Sequence, residues 1–300
     1  MKRITFLLLV IAAVCGETWA QQKEAGIITL GRKRLGKAAV VDTSDVRIYY
    51  ALNADTISNQ DTYMDLRVLE VGKHITKCSS EFVREGEAHQ KELLKTWKLA
   101  HPHADGVPRA CPIHGKRADY WNEIQYTDIY IEDNTATEYH TMPHGFQGEN
   151  GYLVERYPGQ EWTLDMLGLD KLTILGHPCQ KATCHWHGRT FIAWFAPDIP
   201  IRRGPWIFGG LPGLILKLYD EDCHYTFEAV SIKRGKQPIT RYQYEGYRKA
   251  NRERYLKLNR EMNEGFLNAM GRRGGMMKNA VGEWVTASGP KIPYEPLELE

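Results

Sequence analysis

The stretch that decides the fold is Arg189-Thr190-Phe191-Ile192-Ala193-Trp194-Phe195-Ala196. Successive side chains of a strand point to opposite faces. Phe191, Ala193 and Phe195 therefore share one face, and Ile192 and Trp194 share the other. Apolar residues on both faces mark a strand covered on both sides. Working outward, strand-like runs recur at 124–131, 137–142, 152–157 and 171–175 before it, and at 214–219 and 225–233 after it. Gly, Pro, Asn and Asp punctuate the gaps. Short strands at this spacing, with no helices between them, predict antiparallel meanders that curl into a barrel, half-barrel or sandwich. Two earlier runs, 46–52 and 63–70, read as one antiparallel pair.

The period changes at 80–100, where Phe82, Leu93, Leu94 and Trp97 stand among Glu, Lys and Gln, as in a helix. Ser79 and Ser80 are candidate N-caps, and Pro102 lies just past the far end. Residues 101–118 carry Pro, His, Gly and Cys without periodicity and read as an irregular insertion. A second helix is expected where Tyr247, Asn251, Tyr255, Leu258, Met262, Phe266 and Ala269 follow at three- and four-residue steps, with Gly271 as its stop. The fold class is thus mainly β (α+β): a curved antiparallel sheet or incomplete barrel with a helical insertion and a C-terminal helix. Residues 21–270 form a single domain, and 271–300, rich in Gly, Met and Pro, form a flexible tail.

The first twenty residues have the order of a secretory signal: Lys2 and Arg3, an apolar run from Ile4 to Val14, then Thr18-Trp19-Ala20. That run is shorter than the ~20 residues a membrane span needs. Cleavage after Ala20 starts the mature chain at Gln21, in the periplasm or outside the cell. Lipidation at Cys15 fits poorly with Ala12-Ala13-Val14. No second long apolar run follows, so an integral membrane protein is not expected. Thirty-nine basic against 37 acidic residues give a net charge of +2, which argues against a dedicated nucleic-acid binder.

The segment richest in unusual residues runs Gly204-Pro205-Trp206-Ile207-Phe208-Gly209-Gly210-Leu211-Pro212-Gly213-Leu214-Ile215. Its last six residues resemble the motif of the GLPGLI family, secreted Bacteroidetes proteins of unknown function that also carry a Porphyromonas label. The resemblance extends upstream through Tyr157-Pro158, Trp162-Thr163-Leu164, Ile174-Leu175-Gly176, Cys179-Gln180-Lys181-Ala182, Gly188-Arg189, Ala193-Trp194-Phe195 and Ile199-Pro200. It covers about residues 150–235 and implies an envelope location, with no catalytic residue to carry over. Read physically, Pro212-Gly213 suits the central positions of a type II turn, with glycine supplying φ > 0. Gly209-Gly210 lets the backbone pass against bulk such as Trp206 and Phe208. The segment is then either a folding fixture or, around Arg202, Arg203 and Trp206, a ligand-contacting rim.

Six cysteines occur, and Cys15 leaves with the signal. In an oxidising compartment Cys78, Cys111, Cys179, Cys184 and Cys223 leave at least one thiol unpaired. Cys179, Cys184, His185, His187 and Cys223, with His224, have metal-ligand chemistry for zinc or copper, though not in a finger spacing. Disulfides or inert thiols compete with that reading. On one strand, Cys179 and Cys184 would sit ~16 Å apart on opposite faces, so Cys223 is the better partner for either. His101 and His103 are a second, looser pair. No nucleophile elbow, zinc-protease helix or phosphate loop occurs. A non-catalytic carrier or binding protein without a cofactor is expected, taking an apolar ligand, a peptide or an outer-membrane protein. A metal-handling protein and a hydrolase of unfamiliar type are the alternatives.

Overall fold

The computed structural model describes residues 36–103, 114–116, 121–143, 146–166, 170–279 and 281–300. The expected leader at 1–20, Cys15 and Cys111 lie outside the described residues.

Alternating and doubly apolar runs pair into one sheet of thirteen strands. In chain order these are β1 (Ala38–Leu52), β2 (Asp65–Gly72), β3 (Ile75–Ser80), β4 (Thr127–Glu132), β5 (Thr135–His140), β6 (Gly151–Arg156) and β7 (Thr163–Leu164). They continue as β8 (Leu172–Ile174), β9 (His177–Trp186), β10 (Arg189–Ala196), β11 (Leu214–Asp220), β12 (Thr226–Tyr242) and β13 (Arg248–Lys249). The order across the sheet is β13-β6-β5-β4-β3-β2-β1-β12-β11-β10-β9-β7, with β8 also on β9. The sheet stays open instead of closing into a barrel. Every pair is antiparallel except β13 with β6, which makes the sheet mixed. Its outer strands are only two or three residues long, a length that limits pairing with other chains.

β10 has the expected bounds, and Phe191, Ala193 and Phe195 are fully buried. One apolar core takes residues from both halves of the sheet, including Tyr50 and Ile129 from one and Phe195 and Leu218 from the other. The loop between β10 and β11 lies inside it: Trp206, Ile207, Phe208 and Leu211 are each 3% exposed or less. Burying a side chain of this size stabilises by about 1.5–3 kcal/mol. The motif loop thus contributes its own side chains to the main core.

That loop explains its glycines, with one correction. A Cβ on Gly209 would lie 1.9 Å from the Tyr157 hydroxyl oxygen, so the close approach expected of Gly209 is real. Gly213 does not supply a left-handed turn; the positive φ, +90°, is at Gly210. Gly213 is needed because a Cβ there would meet the Ala196 carbonyl oxygen at 2.2 Å.

The insertion helix α1 (Glu81–Ala100) starts at Ser80, whose hydroxyl accepts from the Val83 N–H at 3.0 Å. Helix α2 (Arg252–Arg272) starts later than its apolar steps suggested. Asn251 is its cap, accepting from Arg254 N, and Tyr247 belongs to the preceding turn. Gly271 is helical, and the stop falls at Arg273 with Gly274 at positive φ. Tyr255, Met262 and Ala269 pack against Trp121, Met142, Phe146 and Leu153 on the β5–β6 side. No described helix is long and apolar enough to cross a membrane.

The segment expected to be a loose tail is attached. Its hairpin β14 (Met276–Lys278) and β15 (Trp284–Thr286) is followed by a coil in which Pro296, Leu297 and Glu298 are buried. Composition misleads here because the polar ends of the coil find buried partners far back in the chain.

Candidate functional site

The Cys/His set does not converge: among the described residues, no three of Cys179, Cys184, His185, His187 and Cys223 bring ligand atoms within 4.8 Å of one another. β8 covers the Cys179 end of β9, so Cys179 and Cys184 both reach the main core although five residues separate them. Burial pushes the Cys179 thiol up to about 11 and the Cys184 thiol up to about 12, away from the thiolate that a nucleophilic reaction requires. Cys78, Cys179, Cys184 and Cys223 are free thiols, so the expected bond from Cys223 to β9 is not made. Cys223 lies exposed in the β11–β12 turn instead. His185 is exposed, and His187 faces Glu155 at 3.4 Å from the β9–β10 turn. His101 stacks on Trp97 at 3.8 Å.

The proposed rim also divides. Arg203 lies over the Tyr157 ring at 4.8 Å and donates to Thr76 Oγ1 at 3.2 Å. Arg202 donates to the Gly210 carbonyl at 2.7 Å. Both thus contact or anchor the motif loop, Arg202 from an exposed position. Trp206, by contrast, is buried and aims its N–H at Glu298 Oε1, 3.1 Å away.

Following that bond leads to a groove that sequence reasoning missed. Residues 295–299 run without regular structure across the ends of β9, β10 and β11 to the start of α2. Arg189, at the first position of β10, donates from Nε and Nη2 to the Pro296 carbonyl at 3.1 and 2.6 Å, and from Nη2 to Glu295 Oε1 at 2.6 Å. Its Nη1 is fixed by buried Asp220 at 3.1 Å. Tyr225 donates its hydroxyl to the Glu295 carbonyl at 2.6 Å, and Leu299 N–H donates to the His187 carbonyl at 3.0 Å. Leu297 inserts into the main core, 3% exposed. Glu298 ends the row between the Trp206 N–H and Arg252, the first residue of α2. Charge-assisted bonds in a buried setting are stronger than neutral ones, and Arg makes them in a fixed fork.

Behind this row, Arg252 also pairs with Glu155, and its Nη2 stands 3.7 Å from Glu138 Oε1. Glu138 is 1% exposed, and burial together with the Glu298 charge holds its carboxyl up at about 8, against the pull of Arg252. His140, two residues on, is kept neutral by burial and by Arg252, which push it down to about 3. Such separated values at adjacent buried groups are a mark of a functional cluster, and equally of a polar knot.

Two other features offer ligand atoms or a concave surface. Oxygens or nitrogens of Asp220, Asp222 and His224 lie within 4.8 Å of one another. The Asp220 oxygens already accept from Arg189 and from Tyr225 N, so a cation there would compete with a fixed guanidinium. A shallow depression of about 340 Å³ is lined by Leu172, Trp194, Lys217, Tyr219, Cys223 and Thr226.

A family model described as a protein of unknown function, Porph_ging, matches residues 166–217. Arg189 and Trp206, the two groove residues that the sequence had singled out, fall within it. No curated protein matches the sequence. Two solved structures of PNGF-II resemble the fold distantly. In one the identity is 17% over 66% of this chain and 29% of that one, with a TM-score of 0.39; in the other it is 16% over 75% and 34%, with a TM-score of 0.42. The chain spans about a third of the length of those proteins.

Proposed function

We propose that this chain is an exported, non-catalytic binding protein of the cell envelope that takes extended acidic peptide segments of a protein partner, with its own residues 295–299 occupying the groove in their absence. The six-residue string at 210–215 resembles the motif of GLPGLI-type secreted proteins, which supports the exported part of this reading. The observation that carries the reading is the convergence of Arg189, Arg252, the Trp206 N–H and the Tyr225 hydroxyl on a coil held mainly by its carboxylates, its carbonyls and one leucine. Main-chain capture plus a side-chain socket is how extended peptides are recognised, and paired arginines select acidic ones.

A tethered occupant competes at an effective concentration on the order of millimolar, so a peptide in trans binds weakly to the intact protein. Leu297→Ala should weaken the occupant by about 2–5 kcal/mol. A labelled peptide Tyr-Glu-Pro-Leu-Glu-Leu-Glu, followed by fluorescence anisotropy, should therefore bind full-length Leu297→Ala protein more tightly than wild type. A peptide with Gln for each Glu should bind neither. A folded Leu297→Ala protein that takes up neither peptide, or both equally, would sink the groove reading. Export is tested separately: the mature protein in envelope or culture fractions should begin at Gln21 by mass spectrometry, and an intact leader on cytoplasmic protein counts against it.

A further inference from the structure

The cation that anchors Glu298 has a second carboxylate behind it. Arg252 holds Glu298 and Glu155, while Glu138 waits on β5 with its Oε1 3.7 Å from Arg252 Nη2. That Oε1 has no hydrogen-bond partner, although the residue is almost fully buried. Neither has His140 Nε2, which lies 3.9 Å from Glu138 Oε2 while His140 Nδ1 is engaged with Thr127 Oγ1 at 2.8 Å. An unsatisfied buried acceptor beside a shared guanidinium leaves a vacant bond for that guanidinium to close.

We propose that Arg252 toggles between Glu298 and Glu138, and that loss of the Glu138 proton frees residues 295–299 from the groove. The inference regulates the site proposed above and rests on the reading of 295–299 as a displaceable occupant.

The argument is one of charge. With Glu138 protonated, Arg252 answers two carboxylates, Glu155 and Glu298. With Glu138 ionised, three carboxylates share one cation in a buried setting, an arrangement that repels the outermost of them. Glu298 is the one on a coil and can leave; Glu138 and Glu155 are fixed in the sheet. Other groups face the cluster from each packed element. His140 stands on β5, already neutral. Tyr255 stands on α2, its hydroxyl held protonated by burial. His187 stands in the β9–β10 turn against Glu155. Glu123 is taken by Asn263 and Tyr294.

The sign follows from linkage. Glu138 holds its proton more tightly when the segment is docked than when water reaches it. Docking is therefore complete below the ordinary carboxylate range and is lost as pH rises through about 8. Hydrogen exchange of the full-length protein reads this at residues 295–299, where the Leu299 N–H is bonded to His187. After correction for intrinsic rates, protection should fall by up to about tenfold per pH unit between the ordinary carboxylate range and about 8, and level off above it. Glu138→Gln should remain protected throughout, and Glu298→Gln should be unprotected at every pH. His187→Gln should keep the wild-type response. Flat wild-type protection, or a Glu138→Gln protein that loses protection as wild type does, overturns the toggle. If protection responds as stated but the acidic peptide never binds Leu297→Ala protein, only the groove's role as a receptor fails. If the peptide binds and protection ignores pH, only the toggle fails.

Discussion

At the scale of the residue, two glycines of the motif loop answer to different neighbours, and substitution separates them. A methyl at Gly209 meets first the Tyr157 hydroxyl, the far end of a side chain, whereas at Gly213 it meets the backbone carbonyl of Ala196. Both alanine variants should lose about 2–4 kcal/mol in urea denaturation. Adding Tyr157→Phe should recover part of the loss for Gly209→Ala and none for Gly213→Ala. Equal behaviour of the two double variants would mean that the loop adjusts as a whole. Close approach at Gly209 was readable from the bulk beside it in sequence. The reason for Gly213 was not, because Ala196 is brought there by the pairing of β10 with β11. Trp206 was readable as unusual, but its role depends on Glu298, 92 positions away.

Among elements, α1 was legible almost to its ends because a cap, a period and a following proline all lie within the segment. Ser80 does more than cap: its hydroxyl also donates to buried Asp65 at 2.6 Å, and burial already raises the Asp65 carboxyl. Ser80→Ala should therefore cost about 2–3 kcal/mol, more than an exposed cap of ~1 kcal/mol, with Ser80→Thr recovering most of it. Thermal melts of the two variants decide; a loss at the exposed-cap level would mean that Asp65 finds another donor. Strands with mixed composition were harder. β9 carries Pro178, two Cys and two His, and was considered as a strand only conditionally, outside the runs read as strands. β12 was read only to 233, since Gly235 and Pro238 look like an ending, yet it continues to Tyr242 because β1 pairs with it throughout. The coil at 295–299 was invisible for the same reason: its partners Arg189 and Tyr225 stand 107 and 70 positions back.

For the whole molecule, the class of fold followed from the period of single segments, but the order of strands did not. Nothing local says that β1 lies between β2 and β12. That placement has a consequence in time. Ala38 pairs with Tyr242 and Leu52 with Phe227, so the longest ladder joins stretches about 200 positions apart and must await closure of a very long loop. Refolding from denaturant should be slow, in milliseconds to seconds or longer, and a chain shortened to Asp220 should lack cooperative unfolding. Fast refolding of that shortened chain would contradict this. During synthesis β1 emerges early, finds β2, and keeps its other edge open until residues 226–242 arrive. Through that interval the nascent chain presents a fifteen-residue edge to any other strand it meets, so its hazard lies in assembly and not in the finished protein.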